Sequence, residues 1–139
     1  MKKREPISKI MSQDVITLNT QQGLADAERL FKKHKIRHIP VISGDKIKGM
    51  LSYTDLLRIS FADAVDDEDK SVDTVVYEMF TIEQVMAKAL TSVTPNHSIK
   101  EVAEILAEKE FHALPVIENE KLVGIVTTTD LIKYLIDQY

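Results

Sequence analysis

Two aspartates, Asp55 and Asp130, stand 75 residues apart in the same setting: a hydroxyl three residues earlier (Ser52; Thr127) and another one residue earlier (Thr54; Thr129). A carboxylate can accept hydrogen bonds from two neighbouring hydroxyls at once, so an aspartate at the mouth of a hollow can clamp a sugar. Each group opens an apolar run of helical spacing, and the free amides and positive dipole end of a helix N-terminus favour phosphate. The same residue types also cap a helix, with Thr54 or Thr129 as the cap and the aspartate as the acidic residue of the first turn. The two roles are compatible. Other chemistry has little to stand on. His34, His38, His97 and His112 lack metal-ligand spacing, and no cysteine is present. The four glycines form neither a P-loop nor a dinucleotide fingerprint. No nucleophile sits beside a base, so neither a catalytic residue nor a metal is expected.

The elements that must hold these groups occur twice. Shifted by 75 residues, positions 7–61 meet 82–136 without a gap, and ten pairs are identical: Ile7/Ile82, Met11/Met86, Pro40/Pro115, Val41/Val116, Ile42/Ile117, Lys46/Lys121, Gly49/Gly124, Thr54/Thr129, Asp55/Asp130 and Leu56/Leu131. Each copy reads β-α-β-β-α. A short apolar stretch (residues 15–18; 90–93) precedes a helix with apolar residues at Leu24, Ala27, Leu30 and Phe31, or Ile99, Val102, Ile105 and Leu106. Ser98 and Glu101 make a capping box, and Gly23 is a weaker cap. An apolar run through Pro40 or Pro115, a polar turn (Ser43 to Lys46; Glu118 to Lys121) and a second apolar run predict a hairpin, the proline near the beginning of its first strand. A closing helix begins near Thr54-Asp55 and Thr129-Asp130. The expected division is residues 1–63, a linker at 64–80, and 81–139. A copy of about 55 residues is marginal alone, so the two are expected to pack face to face and share one core. In the linker, Asp66-Asp67-Glu68-Asp69 reads as solvated, while Val72, Val75, Val76 and Met79 predict a short amphipathic helix. The run Lys32-Lys33-His34-Lys35 ends a helix and reads as solvated charge offsetting its dipole.

Composition narrows the partners. Of 139 residues, 44% are hydrophobic and 29% charged, and the net charge of -4 disfavours bulk nucleic-acid binding. No apolar run is long enough for a signal peptide or a membrane span, and with the absence of cysteine this predicts a cytoplasmic protein with no membrane insertion.

Gly49-Met50-Leu51-Ser52-Tyr53-Thr54-Asp55 and Gly124-Ile125-Val126-Thr127-Thr128-Thr129-Asp130 resemble the signature of the cystathionine beta-synthase (CBS) repeat. Ile36-Arg37-His38-Ile39-Pro40-Val41 and Phe111-His112-Ala113-Leu114-Pro115-Val116 are similar to its other hallmark. The resemblance implies an α/β fold of two tandem repeats packed as one pseudo-twofold Bateman module. It also implies a stand-alone, non-enzymatic regulator that binds AMP, ADP, ATP or an adenosyl compound. By the same resemblance one pocket combines Thr127, Thr129 and Asp130 with Val15, Ile16, Ile36, Arg37 and His38, and the other Ser52, Thr54 and Asp55 with Leu90, Thr91, Phe111 and His112. Apolar side chains would wall the adenine, Phe111 would stack on it, and Arg37 and His38 would meet phosphate. The apolar closing helices (Leu56, Leu57, Ile59, Phe61; Leu131, Ile132, Leu135, Ile136) predict a homodimer like the family's discs, and an effector protein is expected to receive the signal. The alternative is a protein-interaction module with no nucleotide.

Overall fold

The computed structural model describes residues 4–63, 77–109 and 111–139. Strand β1 is Leu18–Asn19, helix α1 Leu24–His34, β2 His38–Ser43, β3 Lys46–Ser52 and α2 Tyr53–Asp63. After a short helix α3, Ile82–Val85, come α4 Ile99–Glu108, β4 Ala113–Glu118, β5 Lys121–Thr127 and α5 Thr128–Asp137. The β-α-β-β-α order is complete in the first repeat. In the second, the leading strand shrinks to one parallel bridge, Val93 to Val116. The sheets are β1-β2-β3, with β1 parallel to β2, and the antiparallel pair β4-β5.

Both hairpins share one register and one irregularity, a bulge at Val41/Ile42 and at Val116/Ile117. Two-residue hairpin loops need positive φ to match strand twist, and Asn119 and Glu120 supply it at 52° and 67°. The prolines lie third in their strands, not at the beginning. Pro115 is tolerated there because the ladder towards Val93 starts from its carbonyl, which accepts the Val93 N–H at 3.1 Å; no N–H is required of it.

The chain divides into two compact units that do not follow the repeat boundaries: Ile16–Leu90, and Met1–Val15 with Thr91–Tyr139. Each repeat's core is completed by the segment that precedes the other repeat. Ala87 exchanges both backbone hydrogen bonds with Met50 on β3 (3.0 and 2.9 Å), and Ser12 does the same with Ile125 on β5 (2.8 and 3.0 Å). Ile82 and Met86 are buried with Leu18, Leu24, Phe31, Ile39 and Leu51, while Ile7 is buried with Val93, Val102, Leu114 and Val126. Full burial of one isoleucine contributes about 1.5–3 kcal/mol, enough to anchor each segment. Among the described residues the buried side chains group into two clusters, one per unit.

The signature glycine of each repeat exists for this exchange. A Cβ on Gly49 would lie 2.5 Å from Met86 Sδ and 2.7 Å from the Ala87 carbonyl oxygen. On Gly124 it would lie 2.8 Å from Met11 Sδ and 3.0 Å from the Ser12 carbonyl oxygen. Only hydrogen lets the incoming backbone reach the strand. The Met1–Val15 part of its unit is pinned further: the Ile99 N–H donates to the Glu5 carbonyl at 2.8 Å, and the Tyr134 hydroxyl donates to the Glu5 carboxylate.

In the linker, the acidic stretch and Val72, Val75 and Val76 lie outside the described residues, and Met79 is exposed. No described helix is long and apolar enough to cross a membrane.

Candidate functional site

Ser52 and Thr127, not Thr54 and Thr129, cap the closing helices. The hydroxyl of Ser52 accepts from the Asp55 N–H at 3.0 Å, and Asp55 Oδ2 accepts from the Ser52 N–H at 3.1 Å. Thr127 and Asp130 repeat the box at 3.2 and 2.9 Å. β3 and β5 run straight into these helices, so the last strand residue is the one whose hydroxyl meets the third N–H. Thr54 and Thr129, freed of that duty, are exposed. The box occupies Oδ2 of each half-buried aspartate. On Asp55, Oδ1 stands 3.6 Å from the exposed Arg58 guanidinium, an ion pair of little strength. A carboxylate engaged this way keeps acceptor capacity for a hydroxyl.

The segment before each proline is tied to the closing helix of its own repeat. The Tyr53 N–H donates to the Arg37 carbonyl at 2.8 Å, and His38 faces Ser52 across the β2-β3 ladder. In the second repeat the Thr128 N–H and hydroxyl both donate to the His112 carbonyl, at 2.9 and 3.0 Å. Within each repeat the pre-proline segment and the start of the closing helix therefore lie together. Ile36, Arg37, His38, Ser52, Thr54 and Asp55 form one neighbourhood, and Phe111, His112, Thr127, Thr129 and Asp130 its counterpart. Phe111 packs against the core of its own unit, as Ile36 does in the other. Ile16 and Leu90 belong to the first repeat's unit and Val15 and Thr91 to the second's; all four are half-buried and lie outside strands and helices.

In the first neighbourhood a hollow of about 450 Å³ opens, lined by Phe31, Lys32, Lys35, Ile36, Arg37, Tyr53, Thr54 and Leu57. Ligand pockets run from about 300 to 1,000 Å³, so the space suits a nucleoside-sized molecule. Phe31 and Tyr53 meet edge to face, ring centres 5.4 Å apart, and give the hollow an aromatic wall. Lys32, Lys35 and Arg37 supply three cations, and no lining residue is acidic. Lys32 is held from behind by Glu28 at 2.6 Å. Burial pushes the Glu28 carboxyl up, but hydrogen bonds from Lys32 and Tyr77 outweigh it and hold the group below its ordinary range.

Of the site residues expected from sequence, Ile36, Arg37 and Thr54 line this hollow. Phe31, Lys32, Lys35, Tyr53 and Leu57 line it too and were missed. In sequence, Lys32 and Lys35 read as solvated charge at a helix end. Their 3-residue spacing on the helix that delivers Arg37 was the available signal.

Comparison with known proteins places this geometry in a family. The family model "CBS domain" matches residues 7–62 and 82–137. The CBS domain-containing protein YhcV of Bacillus subtilis is 29% identical over 121 residues, 87% of this chain and 79% of the relative. A crystal structure titled as a putative acetoin utilization protein (AcuB) of Vibrio cholerae superposes with a TM-score of 0.80 at 28% identity, covering 96% of this chain and 91% of that one. The fold also matches CBSX2, solved in complex with AMP: TM-score 0.79, 19% identity, covering 96% and 98% of the two chains. In other curated relatives the matched stretch is 22–47% of the length, so their whole-protein activities stay with them.

Proposed function

The chain belongs to the CBS domain family, and on that footing we propose that it is a regulatory module that binds an adenine nucleotide or adenosyl ligand and passes the bound state to a partner protein. One observation carries the reading: Ile36, Arg37 and Thr54 converge on a hollow of nucleoside size, and Asp55 follows Thr54 in the chain. Ile36 and the Phe31-Tyr53 pair offer apolar surface to a base, Asp55 Oδ1 an acceptor to ribose hydroxyls, and Arg37 a planar donor to phosphate. AMP bound to a protein of the same fold supports the adenine assignment. The second neighbourhood, with His112 in place of Arg37, is the weaker site for a charged ligand.

Signal output in this proposal runs through a homodimer. On α5, Ile132, Leu135 and Ile136 are 52%, 45% and 64% exposed, an apolar face suited to a second copy. Light scattering is expected to return twice the mass of one chain; a monomer mass across the concentration range removes the dimer.

Calorimetric titration with adenosine, AMP and ATP tests the ligand. Arg37→Ala is expected to weaken AMP about tenfold or more, the scale of a hydrogen bond to a charged group, with adenosine affected far less. Equal losses for both would remove the phosphate role. No binding by any of the three would leave the interaction-module alternative.

A further inference from the structure

Superposing the repeats by sequence sets the hollow's cations, Lys32, Lys35 and Arg37, against Ala107, Glu110 and His112. The first repeat carries three formal positive charges there. The second has an alanine, a glutamate and a histidine at the matching positions of the sequence. One guanidinium suffices for a single phosphate, so two further cations are surplus to a monophosphate ligand.

Lys35 adds an independent observation. It ends α1 in the left-handed region, φ 54°, where glycine is the usual residue because a Cβ is disfavoured. The equivalent helix α4 stops one position earlier, with Lys109 extended at φ -100°. A lysine kept in a conformation that glycine would adopt more easily, with its side chain lining the hollow, is an outlier that points to a function for that side chain. Lys32 lies one turn back on the same wall, and its exposed pair with Glu28 is weak enough for a phosphate to compete with it.

We propose that Lys35 and Lys32 make the first repeat's hollow selective for ligands carrying two or three linked phosphates over a monophosphate. This rests on the nucleotide reading of the same hollow for the nucleoside part alone. The phosphate chain is recognised by the three cations whether or not a base is attached. Arg37 takes one phosphate, and the two lysines lining the same hollow take the others.

The test compares AMP, ATP and inorganic tripolyphosphate by calorimetry without divalent metal, on the wild-type chain and on Lys35→Gly, Lys35→Gln and Lys32→Gln. The wild type is expected to bind ATP about tenfold or more tighter than AMP, since each added charge-assisted contact is of that order. Lys35→Gly should abolish most of that preference and change AMP affinity little. Its urea midpoint should stay level or rise, because glycine relieves the left-handed backbone. A merely structural lysine would not produce that split. Lys35→Gln repeats the measurement without altering the backbone, and Lys35→Arg should restore the preference. Equal wild-type affinities for AMP and ATP, or equal losses for both in the Lys35 variants, overturn the proposal and leave the nucleotide reading intact. If tripolyphosphate binds and Lys35→Gln weakens it while no adenine ligand binds, the phosphate-chain site stands and the nucleotide reading falls. If neither tripolyphosphate nor ATP binds, the proposal falls.

Discussion

The two repeats share a frame and differ in what the frame displays. Both admit a foreign segment against a signature glycine, both start the closing helix with a reciprocal Ser/Thr-Asp box, and both tie the residue before the apolar strand to that helix by a carbonyl. The residues at the matching positions diverge: Lys32, Lys35, Arg37 and Tyr53 in one copy, Ala107, Glu110, His112 and Thr128 in the other. Backbone contacts set the frame and tolerate little change, whereas exposed positions at the ends of the first helix can change without touching a core. Duplication of a frame therefore leaves room for one copy to take a charged ligand and the other to serve mainly as its structural partner.

The largest effect that would sharpen this comparison lies at the glycines. Gly49→Ala places a methyl 2.5 Å from Met86 Sδ and 2.7 Å from backbone, and should cost about 2–3 kcal/mol by overpacking. Gly124→Ala, at 2.8 and 3.0 Å, should cost less. Urea denaturation of both variants checks the order; equal costs near zero would show that the exchanged segments are not held tightly.

Helix caps come next. Ser98→Ala removes the hydroxyl that accepts the Glu101 N–H at 3.0 Å and should cost about 1 kcal/mol. At the matching position, Gly23 already donates its N–H to Asp26 Oδ2 at 3.0 Å but has no side chain to return the bond. Gly23→Ser should therefore stabilise by about a few tenths of a kcal/mol. A gain at residue 23 larger than the loss at 98 would break the parallel between the helices.

The smallest effect is in acid. The Gly23 N–H, helped by Arg29, holds the Asp26 carboxyl below its ordinary 3.8, and the Ser98 N–H and hydroxyl hold Glu101 below 4.5. Because both folded-state values are depressed, each carboxylate's contribution is complete above its ordinary value. It is lost as pH falls through the lower folded value. Glu101→Gln should reduce the steepness of the decline in stability between neutral pH and pH below 4.5, measured by urea midpoints. An unchanged slope would show that the box adds nothing electrostatic.

Much of this was legible in the sequence, and the reasons for the remainder are physical. The 75-residue offset, the Ser98-Glu101 box, the hairpins and the helix faces follow from local pattern, and all are present. The exchange of leading segments was not legible. Ile7/Ile82 and Met11/Met86 match each other equally well whichever copy they pack on, and pattern carries no partner. The leading strands were overestimated, because an apolar stretch such as 90–93 says nothing of how many residues find a parallel neighbour. Ile36, Arg37 and Thr54, which line the hollow, are singled out by the motif. Lys35 is not, since its left-handed backbone has no glycine or asparagine to announce it. The bond from the Tyr53 N–H to the Arg37 carbonyl, which ties the pre-proline segment to its own repeat's closing helix, is visible only in space.

Amide and methyl NMR spectra recorded while AMP is added bear most directly on where a nucleotide sits. Saturable shifts at Ile36, Arg37, Tyr53 and Thr54, larger than any at Phe111, His112, Thr128 and Thr129, are the predicted result. A spectrum that does not change, or shifts confined to the second repeat, would contradict it.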